Sequence, residues 1–100
     1  MQININTQGN ETVATLIGRL DTLAAQEVAA QFETLQEKAG GTVVLDCSQL
    51  EYISSSGLRL FLTLRKAAAT KGGKVIIRDI NSDVRSVFMI TGFLNLFEIQ

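Results

Sequence analysis

Two glycine pairs divide this chain, and the residues on either side of them leave few folds open. Gly40-Gly41 ends a stretch with helical spacing, in which Ala25, Val28, Ala29, Phe32, Leu35 and Ala39 fall on one face and Gln26, Glu27, Glu33, Glu37 and Lys38 on the other. Lys71-Gly72-Gly73 closes a second helical stretch that runs from Leu58 to Ala69. A short, nearly all-apolar run follows each pair: Thr42 to Leu45 after the first, Lys74 to Ile77 after the second. Such runs fit strands of a parallel sheet, and the first is predicted to be covered on both faces. Helix, glycine pair and strand, taken twice, make β-α-β units joined by right-handed crossovers.

The flanking segments complete the pattern. Gln2 to Thr7 alternates Ile3 and Ile5 with polar residues, Gln8-Gly9-Asn10 breaks it, and Thr12 to Ile17 resumes, which predicts a hairpin. Asn81 or Ser82 caps a third helix carrying Val84, Val87, Phe88 and Ile90, ended by Gly92, and the apolar tail Phe93 to Ile99 is expected to dock. With 46% apolar residues in 100, the chain can bury one hydrophobic core. The prediction is a single α/β domain over residues 1–100, with an N-terminal hairpin and parallel β-α-β units in one mixed sheet and helices packed on it.

Composition removes whole classes of chemistry. The chain has no histidine, which excludes a catalytic triad, a histidine dyad and a histidine zinc site. Cys47 is the only cysteine, so no internal disulfide forms, and beside an apolar strand it reads as a small buried hydrophobe. No metal site and no cofactor are expected. Nine basic against ten acidic residues give a net charge of -1, which offers no counterion-release drive toward nucleic acid. Arg59, Arg65, Lys66, Lys71, Lys74 and Arg78 straddle a helix and a strand without interleaved aromatics and read as a solvated face. Neither an apolar run long enough for a membrane span nor a signal peptide is visible, and a cytoplasmic protein is expected.

Parallel strands place their C-terminal loops along one edge of the sheet, where open α/β sheets carry their sites. Those loops are read as Arg19 to Thr22, Ser48 to Gly57 and Asp79 to Asp83. The second holds Ser54-Ser55-Ser56-Gly57 at a helix start. Serines there cap helices and make tight turns. A hydroxyl exposed at the positive end of a helix also suits a phosphate. Asp46 ends a strand as the phosphoacceptor of a receiver domain does, but the acidic pair that would hold Mg²⁺ after the first strand is missing.

The arrangement resembles the anti-sigma factor antagonist branch of the STAS domain family over nearly the whole chain. The resemblance rests on Gly18-Arg19-Leu20-Asp21, on Val43-Val44-Leu45-Asp46-Cys47-Ser48 leading to Ser54-Ser55-Ser56-Gly57-Leu58, and on Val87 to Phe93 followed by Leu96-Phe97-Glu98-Ile99. It implies a non-catalytic interaction switch whose unphosphorylated form binds an anti-sigma factor serine kinase and releases a sigma factor. It also implies that phosphorylation at Ser56 ends that binding and that a serine phosphatase restores it. The partner surface would comprise Asp21, Ser54, Ser55, Ser56, Gly57 and Arg59. The family usually carries aspartate where this chain has Ser54. A second reading is a ligand-binding or assembly subunit of a transporter or ATPase complex, in which the helix start at Ser56-Gly57 holds an anion unmodified.

Overall fold

A computed structural model describes all 100 residues. Strand β1 (Gln2–Gln8) turns through Gly9-Asn10 into β2 (Glu11–Leu20), followed by α1 (Thr22–Glu37), β3 (Thr42–Ile53), α2 (Ser55–Lys71), β4 (Lys74–Arg78) and α3 (Ser82–Thr91). A single 3₁₀ turn (Phe93–Leu96) leads into the two-residue strand β5 (Glu98–Ile99). The strands lie in sequence order, β1-β2-β3-β4-β5; β1 runs antiparallel to β2 and the remaining pairs are parallel. The mixed sheet and the three helices are those expected from the glycine pairs and the hairpin.

Sequence order of the strands has a consequence for the helices. Crossovers of one hand that always step in the same direction across a sheet land on the same face. Val28, Phe32, Leu58, Phe61, Leu64, Val84 and Phe88 from the helices join Ala14, Leu16, Val43, Leu45, Val75 and Ile77 from the strands in one core. The alternate strand residues Val44 and Ile76 are buried but lie outside that core. Val44 is flanked in register by Val13 and Ile76, so its neighbours on the sheet cover it. Val43, Val44 and Leu45 are all fully buried, as expected of a strand covered on both faces, but the helices lie on one face only, because the crossovers all step in the same direction.

A correction concerns the segment read as a loop from Ser48 to Gly57. It is strand as far as Ile53, and β3 is 12 residues long. Thr15 pairs with Asp46 but Ile17 with Gln49, and Gly18 pairs with Leu50 but Arg19 with Tyr52. Each step inserts one extra residue into β3. A bulge of this kind breaks the two-residue alternation while keeping the strand paired.

Four phenylalanines hold the helices to the sheet. Phe61 of α2 meets Phe32 of α1 at a centroid distance of 5.8 Å, Phe88 of α3 at 5.9 Å and Phe97 ahead of β5 at 6.4 Å. Phe88 and Phe97 meet edge-on at 6.1 Å. At the amino ends of the parallel strands the glycine pairs pack tightly: a Cβ on Gly73 would stand 1.8 Å from the Ala39 carbonyl oxygen, and one on Gly41 would stand 2.3 Å from that of Asn10. Those two positions admit no side chain without moving backbone.

Phe61→Ala removes the ring that touches all three others and leaves a cavity at the centre of the core. The expected loss is about 3–5 kcal/mol of unfolding free energy, with a smaller loss for Phe61→Leu. Urea titration followed by circular dichroism measures both.

Candidate functional site

The site grows from the place where two neighbouring strands end together. Leu20 of β2 pairs with Ile53 of β3, so the residues that follow, Asp21 and Ser54, begin α1 and α2 side by side. Each has an extended backbone and caps its helix. An Asp21 carboxylate oxygen accepts the Ala24 N–H at 2.8 Å, and Ser54 Oγ accepts the Gly57 N–H at 3.2 Å. The Ser54 N–H itself donates to the Leu20 carbonyl at 2.9 Å, which ties the start of α2 to β2. These are N-cap bonds, satisfying donors that the first helical turn leaves free.

The three serines thus have three different positions. Ser54 is buried and its hydroxyl is engaged in the cap. Ser55 is exposed and Ser56 half-buried. Ser56 lines a groove of about 290 Å³ between α1 and α2, with Thr22, Ala25, Gln26, Arg59 and Thr63. Ser55 lines a separate groove of about 250 Å³ between α2 and α3, with Leu58, Leu62, Thr91 and Phe93. Arg59, one turn further along α2, borders both grooves. Of the hydroxyls at this helix start, the exposed one is that of Ser55, while Ser56 is recessed into the first groove alongside α1.

Gly57 has a packing reason. A Cβ there would lie 2.8 Å from Leu20 Cγ and 2.9 Å from Ile53 Cγ1, so the first turn of α2 rests directly on the ends of β2 and β3. No acidic residue stands in that turn, and the helix start carries no compensating negative charge. Asp46, the other acidic residue singled out in the sequence, accepts the Ser48 N–H at 3.0 Å within the bulged part of β3. Near the carboxyl end of β3, Tyr52 stacks against Arg19, whose guanidinium carbon is 4.5 Å from the ring centroid.

Of the residues proposed from sequence, Asp21, Ser54, Ser55, Ser56, Gly57 and Arg59 come together at this edge, but Asp21, Ser54 and Gly57 act in its architecture. Thr22 lies in the Arg19 to Thr22 loop expected at this edge, but sequence reasoning missed the rest of the α1 wall of the groove, Ala25, Gln26 and Ala29. Ala25 and Ala29 were visible as small residues four apart on one helix face, and both line the groove. The basic residues do not form one patch. Lys71 Nζ donates to the Gln36 carbonyl at 2.7 Å, Lys74 pairs with Glu98 at 3.6 Å, and Arg65 donates to the Leu96 carbonyl. No three His, Cys, Asp or Glu side chains converge to hold a metal ion. No helix is long and apolar enough to cross a membrane.

Cys47 is fully buried in β3, with its thiol directed to the Leu45 carbonyl at 3.6 Å. Burial, reinforced by the nearby Asp46 charge, pushes its pKa up to about 12. The thiol therefore stays protonated and unreactive, unlike the electropositive, partly exposed cysteines that serve as nucleophiles.

The STAS domain model matches residues 2–100. The chain belongs to the STAS domain family. It is 31% identical over 99 residues to BtrV of Bordetella bronchiseptica, a candidate anti-sigma factor antagonist, covering 99% of this chain and 85% of that one. Among solved structures, a candidate anti-sigma factor antagonist of Thermotoga maritima superposes with a TM-score of 0.87 at 17% identity, covering 97% of this chain and 84% of that one. The unphosphorylated form of the anti-sigma factor antagonist SpoIIAA gives 0.75 at 20% identity over 99% and 87% of the two chains. The phosphorylated form, from Bacillus, gives 0.74 at 21% over 99% and 91%. The SpoIIAA and Thermotoga comparisons establish the shared STAS fold, and the family model assigns the chain to it.

Ser54→Ala removes the cap bond and is expected to cost about 1 kcal/mol, whereas Ser54→Asp retains an acceptor and keeps the stability. Gly57→Ala overpacks the seat of α2 and costs about 1–3 kcal/mol. Thermal and urea unfolding of the three variants test these values. For Cys47, the unfolded thiol begins to ionise near its ordinary value of 9.0 while the folded one resists to about 12. Stability that is fully present below pH 9 is lost as the pH rises toward 12, so the melting temperature of the wild type falls more steeply over that window than that of Cys47→Ala.

Proposed function

We propose that this STAS domain is an anti-sigma factor antagonist that works by partner switching. Unphosphorylated, it binds an anti-sigma factor that is also a serine kinase, and the kinase gives up its sigma factor. Phosphate on Ser56 ends the binding, and a serine phosphatase restores it. The switch operates in the cytoplasm, and the chain supplies a surface, with no catalysis of its own.

The observation that carries this reading is the division of labour among the serines. Ser54 Oγ is committed to the Gly57 N–H, while Ser56 sits at the second position of α2 in a groove it shares with Arg59. That leaves a hydroxyl for a kinase at the positive end of a 17-residue helix whose first turn has no acidic residue. The helix dipole and Arg59 favour a dianion there, so modification is compatible with the fold. The same dianion in an interface shaped around a hydroxyl brings desolvation and repulsion, which mismatched buried polar contacts turn into losses of several kcal/mol. The solved phosphorylated and unphosphorylated forms of SpoIIAA support the same kind of cycle in a protein of this fold.

Intact mass and phosphopeptide mapping of protein isolated from its own cells are expected to place phosphate on Ser56. Phosphate on Ser55, or phosphate retained in Ser56→Ala, would overturn that assignment. Ser56→Asp is expected to lower affinity for the captured kinase a hundredfold or more with no drop in melting temperature, since charge at a helix start is stabilising by about 0.3–1 kcal/mol. Arg59→Glu is expected to weaken the same complex more than Glu33→Lys, which alters the exposed side of α1. Equal effects would move the partner surface elsewhere.

A further inference from the structure

The two edges of the sheet are built differently. One ends in β5, two residues long, with Glu98 paired to Lys74 of the neighbouring strand. The other is β1, seven residues long, with β2 as its only strand neighbour. Folded proteins usually blunt such an edge with a lysine, a proline, a bulge or a short strand. Gln2-Ile3-Asn4-Ile5-Asn6-Thr7-Gln8 contains no charge and no proline, and it pairs with β2 without a register shift.

The hairpin determines which groups this edge offers. Gln8 and Glu11 flank the two-residue turn, so they form its hydrogen-bonded closing pair, and the bonded pairs recur at Asn6, Asn4 and Gln2. Ile3, Ile5 and Thr7 consequently direct their backbone N–H and C=O groups away from β2. The order of side chains is nearly the same in both directions about Ile5: Asn4 and Asn6 flank it, then Ile3 and Thr7, then Gln2 and Gln8. A two-fold axis through Ile5 would place Ile5 opposite Ile5 of a second copy, Ile3 opposite Thr7, Asn4 opposite Asn6 and Gln2 opposite Gln8. Residues with outward backbone groups then meet residues with outward backbone groups. The β-branched pairs lie on the helix-bearing face, where Ile3 and Ile5 are only half-buried, and the amide pairs lie on the other. A two-fold interface requires this kind of self-complementarity, and directly opposed side chains are the unit of cross-strand contact in an antiparallel pair.

We infer that β1 is a homodimerisation edge, joining two copies antiparallel through Ile5 into one continuous sheet. The inference does not depend on the partner-switching reading. Sedimentation equilibrium over a wide concentration range is expected to show a reversible rise from the 10.9 kDa monomer to twice that mass. Ile5→Pro deletes an N–H that β2 does not use, a position where an edge strand admits proline, and is expected to abolish the dimer while circular dichroism stays native. Asn4→Lys with Asn6→Lys, which sets lysines opposite each other across the axis without touching the backbone, is expected to weaken association at least tenfold, with partial recovery at high salt. A wild type that remains monomeric at the highest concentration overturns the inference. So does a dimer that persists in the folded proline variant or, should that variant fail to fold, in the lysine variant.

Discussion

The position of α2 is the constraint on which the rest of the molecule depends. Phe61, near its middle, contacts a ring from α1, a ring from α3 and Phe97 from the C-terminal segment, so each later or earlier element is located by reference to this helix. Its first turn is located separately by Gly57 against Leu20 and Ile53, and the chain just beyond its last turn by Gly73 against Ala39 and Gly41. With both ends and the centre held, α2 has little freedom to slide or tilt, because close-packed interiors accommodate displacement poorly. A charge added near Ser56 therefore alters a surface presented by a fixed helix. That is the physical basis for expecting a switch that acts at the interface with little change in the fold.

The substitution of serine for the family's usual aspartate at position 54 changes the electrostatics while keeping the geometry. Either side chain offers an oxygen to the Gly57 N–H, so the cap survives. Aspartate would also bring a negative charge to the helix start, two residues from Ser56. With Ser54 neutral and no acid elsewhere in the first turn, a phosphate on Ser56, as proposed, would be the first negative charge this end of α2 receives. The electrostatic contrast between the two proposed states would be larger for that reason, and the buried cap hydroxyl of Ser54 would not compete for a kinase.

Much of this was legible in the sequence, for reasons that can be named. The glycine pairs located the ends of α1 and α2 because each marks a turn packed too tightly for a side chain. The hairpin was visible in Ile3 and Ile5, whose alternation survives on an edge strand with one buried face. The second half of β3 was not visible. Its two bulges put Cys47, Leu50 and Ile53 in the core at spacings of three, which imitates neither a strand nor a loop rich in hydroxyls. The one-sided helical layer was also hidden, since Val44 is as buried as Val43 although only one of them touches the helices. The α1 wall of the groove depended on which side of Ala25 and Ala29 faces α2, a tertiary fact that periodicity does not carry.

The proposed switch and the proposed association would use different boundaries of the same sheet, and the topology decides whether they interfere. Ser56 lies beyond the carboxyl ends of β2 and β3, whereas the self-complementary strand is the lateral edge beside β2. Antiparallel pairing through Ile5 would reverse β2 of one copy relative to β2 of the other, so the two α1–α2 grooves would face opposite ends of a sheet of ten strands, five from each copy. The side chains on the helix-bearing face of one β1 would meet those on the same face of its partner, which leaves both helical layers on one side and both grooves uncovered. Association at β1 is thus sterically compatible with partner binding at α2.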